Sequence, residues 1–119
     1  MPVWYNCHMA IDKRSIHFYE ARARVAKAMG HPSRLIILEA LQERECCVCE
    51  LTELVGADQS TVSKHLAVLK QAGLVEDRKE GVMIFYRPKV KCLEGFWRCI
   101  ETVLKENLKV QTAAVNYCR

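Results

Sequence analysis

Cysteine is the residue type whose number and spacing first suggest chemistry in this sequence. The chain of 119 residues contains seven cysteines, and three of them lie in the segment Cys46-Cys47-Val48-Cys49. An odd number does not suit a closed disulfide framework, and residues 1–10 lack the apolar run of a secretory signal peptide. We therefore expect reduced thiols in a reducing cytoplasm, where they serve metal binding or redox sensing.

Charge and hydropathy narrow the classes of partner. The net charge is +4, from 18 basic and 14 acidic residues, which by itself favours nucleic acid only weakly. No segment approaches the roughly 20 apolar residues that cross a bilayer. These features predict a soluble cytoplasmic protein with no membrane partner, and its length suits one domain.

Hydrophobic spacing predicts the elements that must position the cysteines. Four helices are expected: over residues 15–29, over 32–41, around Leu51 up to Gly56, and over 59–72. Asp58 is the expected N-cap of the fourth helix, and Gly73 is its expected stop. The cysteine segment then lies at the start of the third helix.

After Gly73 the hydrophobic period changes from helical to two, which predicts a β-hairpin closed by Pro88. A long amphipathic final helix is expected up to Leu108. The fold class is therefore mainly α with one β-hairpin. We expect an N-terminal arm over residues 1–14, one domain over 15–108 and a C-terminal tail over 109–119.

The third helix, its glycine turn and the fourth helix predict a helix-turn-helix, whose second helix enters the major groove of DNA. Its outward residues are short, polar or basic, and suit base edges and phosphates. They are Gln59, Ser60, Thr61, Ser63 and Lys64, with His65 at the margin. Arg78 and Lys79 at the hairpin tip, with Arg87 on the returning strand, suit a wing along the phosphate backbone.

The sequence resembles the ArsR/SmtB family of metal-sensing winged-helix repressors from about Ala21 to Leu108. The matching segments are Ala28-Met29-Gly30-His31-Pro32-Ser33-Arg34-Leu35, Cys47-Val48-Cys49-Glu50-Leu51, Ser60-Thr61-Val62-Ser63-Lys64-His65-Leu66 and Ile84-Phe85-Tyr86-Arg87. This resemblance implies a winged helix-turn-helix homodimer that represses an operon and leaves its operator DNA when an effector binds.

Resemblance to the arsenic-responsive members of that family implies an inducer site at the cysteine segment. Cys47 and Cys49 match its Cys-Val-Cys motif, whereas Thr52 replaces its third cysteine and Cys46 is the available substitute. Trivalent arsenic or antimony prefers three thiolates, and soft thiolates select soft ions. Residues three apart share a helix face, so Cys46 and Cys49 are expected to meet one ion, while Cys47 requires an unwound turn. The helix N-terminus is expected to lower the thiol pKa.

Other inducers remain open at this point. Cadmium- or lead-responsive relatives add a cysteine from the N-terminal arm, where Cys7 is available. The family's zinc positions hold Val90, Cys92, Val103 and Glu106 here, which argues against zinc. Thiol oxidation or a small metabolite is a further alternative on the same fold.

Three remaining features receive separate expectations. Cys92 and Cys99 are seven apart, so they are expected to share a face of the final helix, either as a second thiol site or as small core residues. His31 is expected to cap a helix rather than bind a metal, and Cys118 receives no role. An enzyme is not expected, because thiol oxidoreductases of the Cys-x-Cys kind sit on a βαβ framework that is not readable here.

Overall fold

A computed structural model describes residues 15–117 of the chain, and the side chains of residues 16–111. Cys7, Cys118 and the expected N-terminal arm lie outside the described residues. The chain divides into two compact units, one up to Lys89 and one from Val90 onward. The first unit contains α1 (Ser15–Met29), α2 (Pro32–Glu43), β1 (Cys46–Cys47), α3 (Val48–Val55), α4 (Gln59–Gln71), β2 (Val75–Glu80) and β3 (Met83–Pro88), and the second contains α5 (Glu94–Tyr117).

The helix boundaries follow from local capping chemistry. His31 is the N-cap of α2, because its Nδ1 accepts a hydrogen bond from the Ser33 backbone N–H at 3.1 Å. The expectation that His31 is a cap is therefore confirmed. Asp58 caps α4 as expected, with its carboxylate accepting from the Thr61 backbone N–H at 3.2 Å. Gly56 ends α3 with φ of 74°, a conformation that glycine adopts without steric cost.

The core of the first unit lies between α2, α3 and α4. Its fully buried side chains are Ile37, Leu38 and Leu41 of α2, Leu51 of α3, and Val62, Leu66 and Leu69 of α4, joined by Cys46 of β1 and Val75 of β2. The three α4 residues recur at helical spacing, so they fix one face of that helix against the core. The opposite face of α4 is left in solvent.

The β-sheet has one strand more than the sequence predicts. The hairpin of β2 and β3 is confirmed, and Gly81 turns it with φ of 63°. A third strand, β1, pairs antiparallel with β3, with Cys46 opposite Tyr86 and Cys47 opposite Phe85. Two residues are too few to show a strand period in the sequence. Cys46 and Cys47 therefore form an edge strand of the wing sheet, while Val48 and Cys49 of the same segment belong to α3.

The second unit is the helix α5 and the residues that lead into it. It begins at Glu94 and continues past Leu108 to Tyr117. Cys92 precedes the helix, so the prediction that Cys92 and Cys99 share a face of it is wrong. Large apolar side chains of α5 are exposed, among them Leu104 at 60% and Leu108 at 63%. Within the described residues, the helices are too short or too polar to span a membrane.

Candidate nucleic-acid interface

The solvent face of α4 carries the residues that the sequence predicts for DNA contact. Their side chains are exposed in the cases of Gln59, Ser60, Thr61, Ser63 and Lys64, while His65 is half-buried. The helix itself contains no acidic residue. Asp58 lies just before it, and its carboxylate is occupied by the Thr61 N–H and, at 3.0 Å, by the Ser60 hydroxyl. Hydrogen bonds from Thr61 and then Ser60 lower the pKa of Asp58.

His65 is held at the margin of this face by a junction of three elements. The Arg34 Nε of α2 donates to His65 Nδ1 at 3.2 Å, and the same guanidinium donates to the Ala28 carbonyl of α1 at 3.1 Å. The His31 ring lies 4.3 Å from the His65 ring between centroids. Burial, and then the neighbouring His31 and Arg34, lower the pKa of His65. A neutral His65 therefore ties α4 to the ends of α1 and α2.

The wing carries charges of both signs, and most of them are already paired. Arg78 forms ion pairs with Glu45 and with Glu80, the latter at 2.7 Å. Arg87 pairs with Glu76 at 2.6 Å. Lys79, in contrast, makes no ion pair within the part of the chain that the structure describes. The sequence predicts correctly that Arg78 belongs to the hairpin, but the structure places Arg78 within β2, opposite Phe85, and not at the tip. The sequence also does not reveal that Glu45, 33 residues away, pairs with Arg78.

The three clustered thiols lie in different surroundings. Cys46 and Cys47 are buried, whereas Cys49 is exposed. The Cys46 Sγ lies 3.5 Å from the Arg44 carbonyl oxygen, and the Cys47 Sγ lies 3.3 Å from Glu50 Oε1. Because α3 begins at Val48, Cys46 and Cys47 belong to β1 and precede the helix. The premise that Cys46 and Cys49 share one helix face is therefore wrong.

Electrostatics at this segment also depart from expectation. Burial, the largest cause, raises the pKa of the Cys46 thiol, and the nearby Arg44 only partly opposes it. The pKa of Cys46 is thus raised where a lowered thiol pKa is expected, and Cys46 lies one residue before Cys47, the N-cap of α3. Glu50 accepts a hydrogen bond from the Cys47 backbone N–H and forms an ion pair with Arg44. Both contacts lower the pKa of Glu50, and Arg44 has the larger effect.

A small surface pocket of about 100 Å³ lies between the cysteine segment and the DNA-facing elements. Its walls come from Cys47 and Cys49, from Gln59 at the start of α4, and from Met83 and Ile84 of the wing. Across residues 16–111, no three His, Cys, Asp or Glu side chains are grouped to hold a metal ion. Cys46, Cys47 and Cys49 therefore do not converge on one point, and an ion that uses all three must move β1.

These elements define the class of the protein. A helix-turn-helix of α3 and α4, followed by a β-hairpin wing, is the architecture of winged-helix DNA-binding domains. The acid-free face of α4 is suited to the negative surface of a nucleic acid.

Comparison with known proteins identifies the family. The sequence model for bacterial regulatory proteins of the arsR family matches residues 31–77. An arsenical resistance operon repressor of Escherichia coli is 36% identical over 101 residues, which cover 78% of this chain and 81% of that protein. An HTH-type transcriptional regulator of Methanocaldococcus jannaschii is 46% identical over 69 residues, covering 57% and 78%.

A solved structure agrees with this result. The homodimeric winged helix-turn-helix DNA-binding domain from Mycobacterium bovis superposes with a TM-score of 0.66 at 30% identity, over 83% of this chain and 94% of that domain. The chain belongs to the arsR family of bacterial regulatory proteins, and is a transcriptional repressor of that family.

Proposed function

We propose that this repressor is a cytoplasmic homodimer that binds operator DNA through α4 and the wing. The observation that carries the proposal is the exposed, acid-free polar face of α4 beside a charged hairpin. Two-fold symmetry then requires a roughly palindromic operator, with half-sites about one helical turn apart.

Exposed apolar rows support the dimer. On α1, Ile16 is 67% exposed and Tyr19, three residues further along the same face, is 39% exposed. On α5, Leu104 and Leu108 are four residues apart and are both more than half exposed. Large exposed apolar patches mark association surfaces. The Mycobacterium bovis domain is homodimeric, so we assign these two helices to the interface between copies.

The proposed DNA binding is tested by selecting the duplexes that the protein binds from a random library and by footprinting the protein on the selected sequences. Gln59→Ala, Ser60→Ala and Ser63→Ala should relax sequence preference. Lys64→Ala should weaken binding to every duplex and flatten the salt slope by about one unit if it contacts phosphate. Lys105→Ala removes the same charge from a helix outside the helix-turn-helix and should leave the salt slope unchanged. Failure to enrich any palindrome would contradict the proposal.

The inducer is proposed to be arsenite or antimonite bound by Cys46, Cys47 and Cys49. Pyramidal trivalent arsenic needs three soft donors, and this segment supplies three thiols within four residues. A relative is named as an arsenical resistance operon repressor, which agrees with this choice. Cys46 and Cys47 pair with β3. Binding of both thiols to one ion would therefore pull β1 away from the wing sheet and change the shape of the pocket beside Gln59.

Direct binding tests the inducer separately from DNA. Titrating arsenite into the reduced protein should give an arsenic–thiolate ultraviolet absorption that saturates at one ion per chain. Serine at Cys46, Cys47 or Cys49 should reduce it, whereas Cys99→Ser should not. Saturation only with cadmium, lead or zinc would replace arsenite with that ion. DNA release by an oxidant or small metabolite without any ion would overturn the metalloid proposal and leave the DNA proposal intact.

A further inference from the structure

The guanidinium of Arg78 on the wing is surrounded by acceptors before any DNA is bound. Its Nε donates to Glu45, and another of its nitrogens donates to Glu80 at 2.7 Å. The guanidinium also lies over the Phe85 ring, 4.7 Å from its centroid. These contacts hold Arg78 flat against the hairpin in one orientation.

Glu45 differs from the other partners because it does not belong to the hairpin. It lies between α2 and β1, and its side chain is only 31% exposed. β1, the strand that follows Glu45, pairs antiparallel with β3, with Cys46 opposite Tyr86 and Cys47 opposite Phe85. The backbone of the cysteine segment thus places this carboxylate against the wing.

We propose that Glu45 acts as an internal substitute for a DNA phosphate on Arg78, and so lowers the affinity of the protein for DNA. A guanidinium binds carboxylate and phosphate oxygens with the same donors. Glu45 occupies the Nε donor and Glu80 an Nη1 donor, so a phosphate that binds Arg78 bidentately through Nε must displace Glu45. The inference rests on the proposed DNA binding through the wing and adds a residue that limits it.

The placement of Glu45 also gives the cysteine segment a direct connection to the wing. Glu45 is bonded to Cys46 in sequence, so a displacement of β1 moves the carboxylate that holds Arg78. A change at the cysteines could therefore affect DNA binding in two ways. One is through the contact of α3 with α4, and the other is through Glu45 and Arg78 on the wing.

The test is the affinity of full-length protein for a fluorescent 30-base-pair duplex of arbitrary sequence, because phosphate contacts do not depend on sequence. Glu45→Gln should tighten binding by about two- to five-fold, the range expected for an exposed ion pair. Glu43→Gln removes the same charge from the end of α2, where residues 16–111 offer its side chain no ion pair, and it should have a smaller effect.

A double variant separates competition from simple repulsion. If Glu45 acts through Arg78, the gain from Glu45→Gln should disappear in the Arg78→Gln background. A gain that persists there, or one no larger than that of Glu43→Gln, would show long-range repulsion and overturn the inference. No gain from Glu45→Gln would also overturn it. Failure of the wild-type protein to bind any duplex would instead count against the proposed function.

Discussion

Single side chains at the edge of the DNA-facing surface combine structural and titratable roles, and His65 is the clearest case. Its Nδ1 accepts from Arg34 Nε, which requires that this nitrogen carry no proton. The sequence predicts that His65 lies at the margin of the recognition face, but its partner Arg34 is 31 residues away and only the fold reveals the contact.

The lowered pKa of His65 predicts how stability depends on pH. The folded state disfavours the charged ring, so the unfolded state binds more protons below the usual pKa of 6.5. The contribution of a neutral His65 to the unfolding free energy should be fully present above that value. It should fall as the pH drops from that value toward the lowered pKa of the folded state. Urea unfolding between pH 5 and 8 measures this.

A variant without the titrating ring provides the control for His65. His65→Asn keeps a side-chain acceptor and should flatten the pH dependence, whereas Ser63→Asn on the exposed face of α4, which leaves the His65 ring in place, should not. An unchanged pH profile in His65→Asn would contradict the assigned role.

At the scale of elements, the sequence predicts long periodic segments well and short ones poorly. The helices α2, α3 and α4 follow from apolar spacing and from the capping residues Asp58 and Gly56. Strand β1 does not, because two residues carry no period and its pairing with β3 is a tertiary contact. This omission explains why the sequence placed Cys46 on a helix with Cys49. The sequence also predicts that Cys92 lies on α5, although the helix begins at Glu94, because no capping residue marks its start.

The turn of the helix-turn-helix gives a prediction at this scale. Gly56 has positive φ and open space around the position of a Cβ, so Gly56→Ala introduces backbone strain without a steric clash. We expect a loss of about 1–2 kcal/mol in unfolding free energy. Gly95→Ala in α5, where φ is not positive and space is also open, should leave stability unchanged or slightly raised. Equal losses in both variants would contradict the explanation.

The whole molecule is expected to be completed by a second copy. Leu104→Glu on α5 should weaken dimerisation by at least about tenfold, because a charge replaces an apolar side chain in the proposed interface. Leu54→Glu on α3 is a matched control, since Leu54 is 54% exposed and Leu104 60% exposed. Sedimentation across micromolar concentrations measures the change. A wild-type monomer, or equal weakening by both substitutions, would contradict the assigned interface.

Ion binding at the cysteine segment is proposed to release the protein from DNA. The direct measurement is operator affinity of the reduced protein, by fluorescence anisotropy, with and without saturating arsenite. We predict a loss of about 5- to 150-fold, the usual range of coupling between two sites. The loss should disappear in Cys47→Ser and Cys49→Ser and persist in Cys92→Ser and Cys99→Ser. Normal release in the first pair, with release abolished in the second, would place the sensing site at Cys92 and Cys99 and contradict the account.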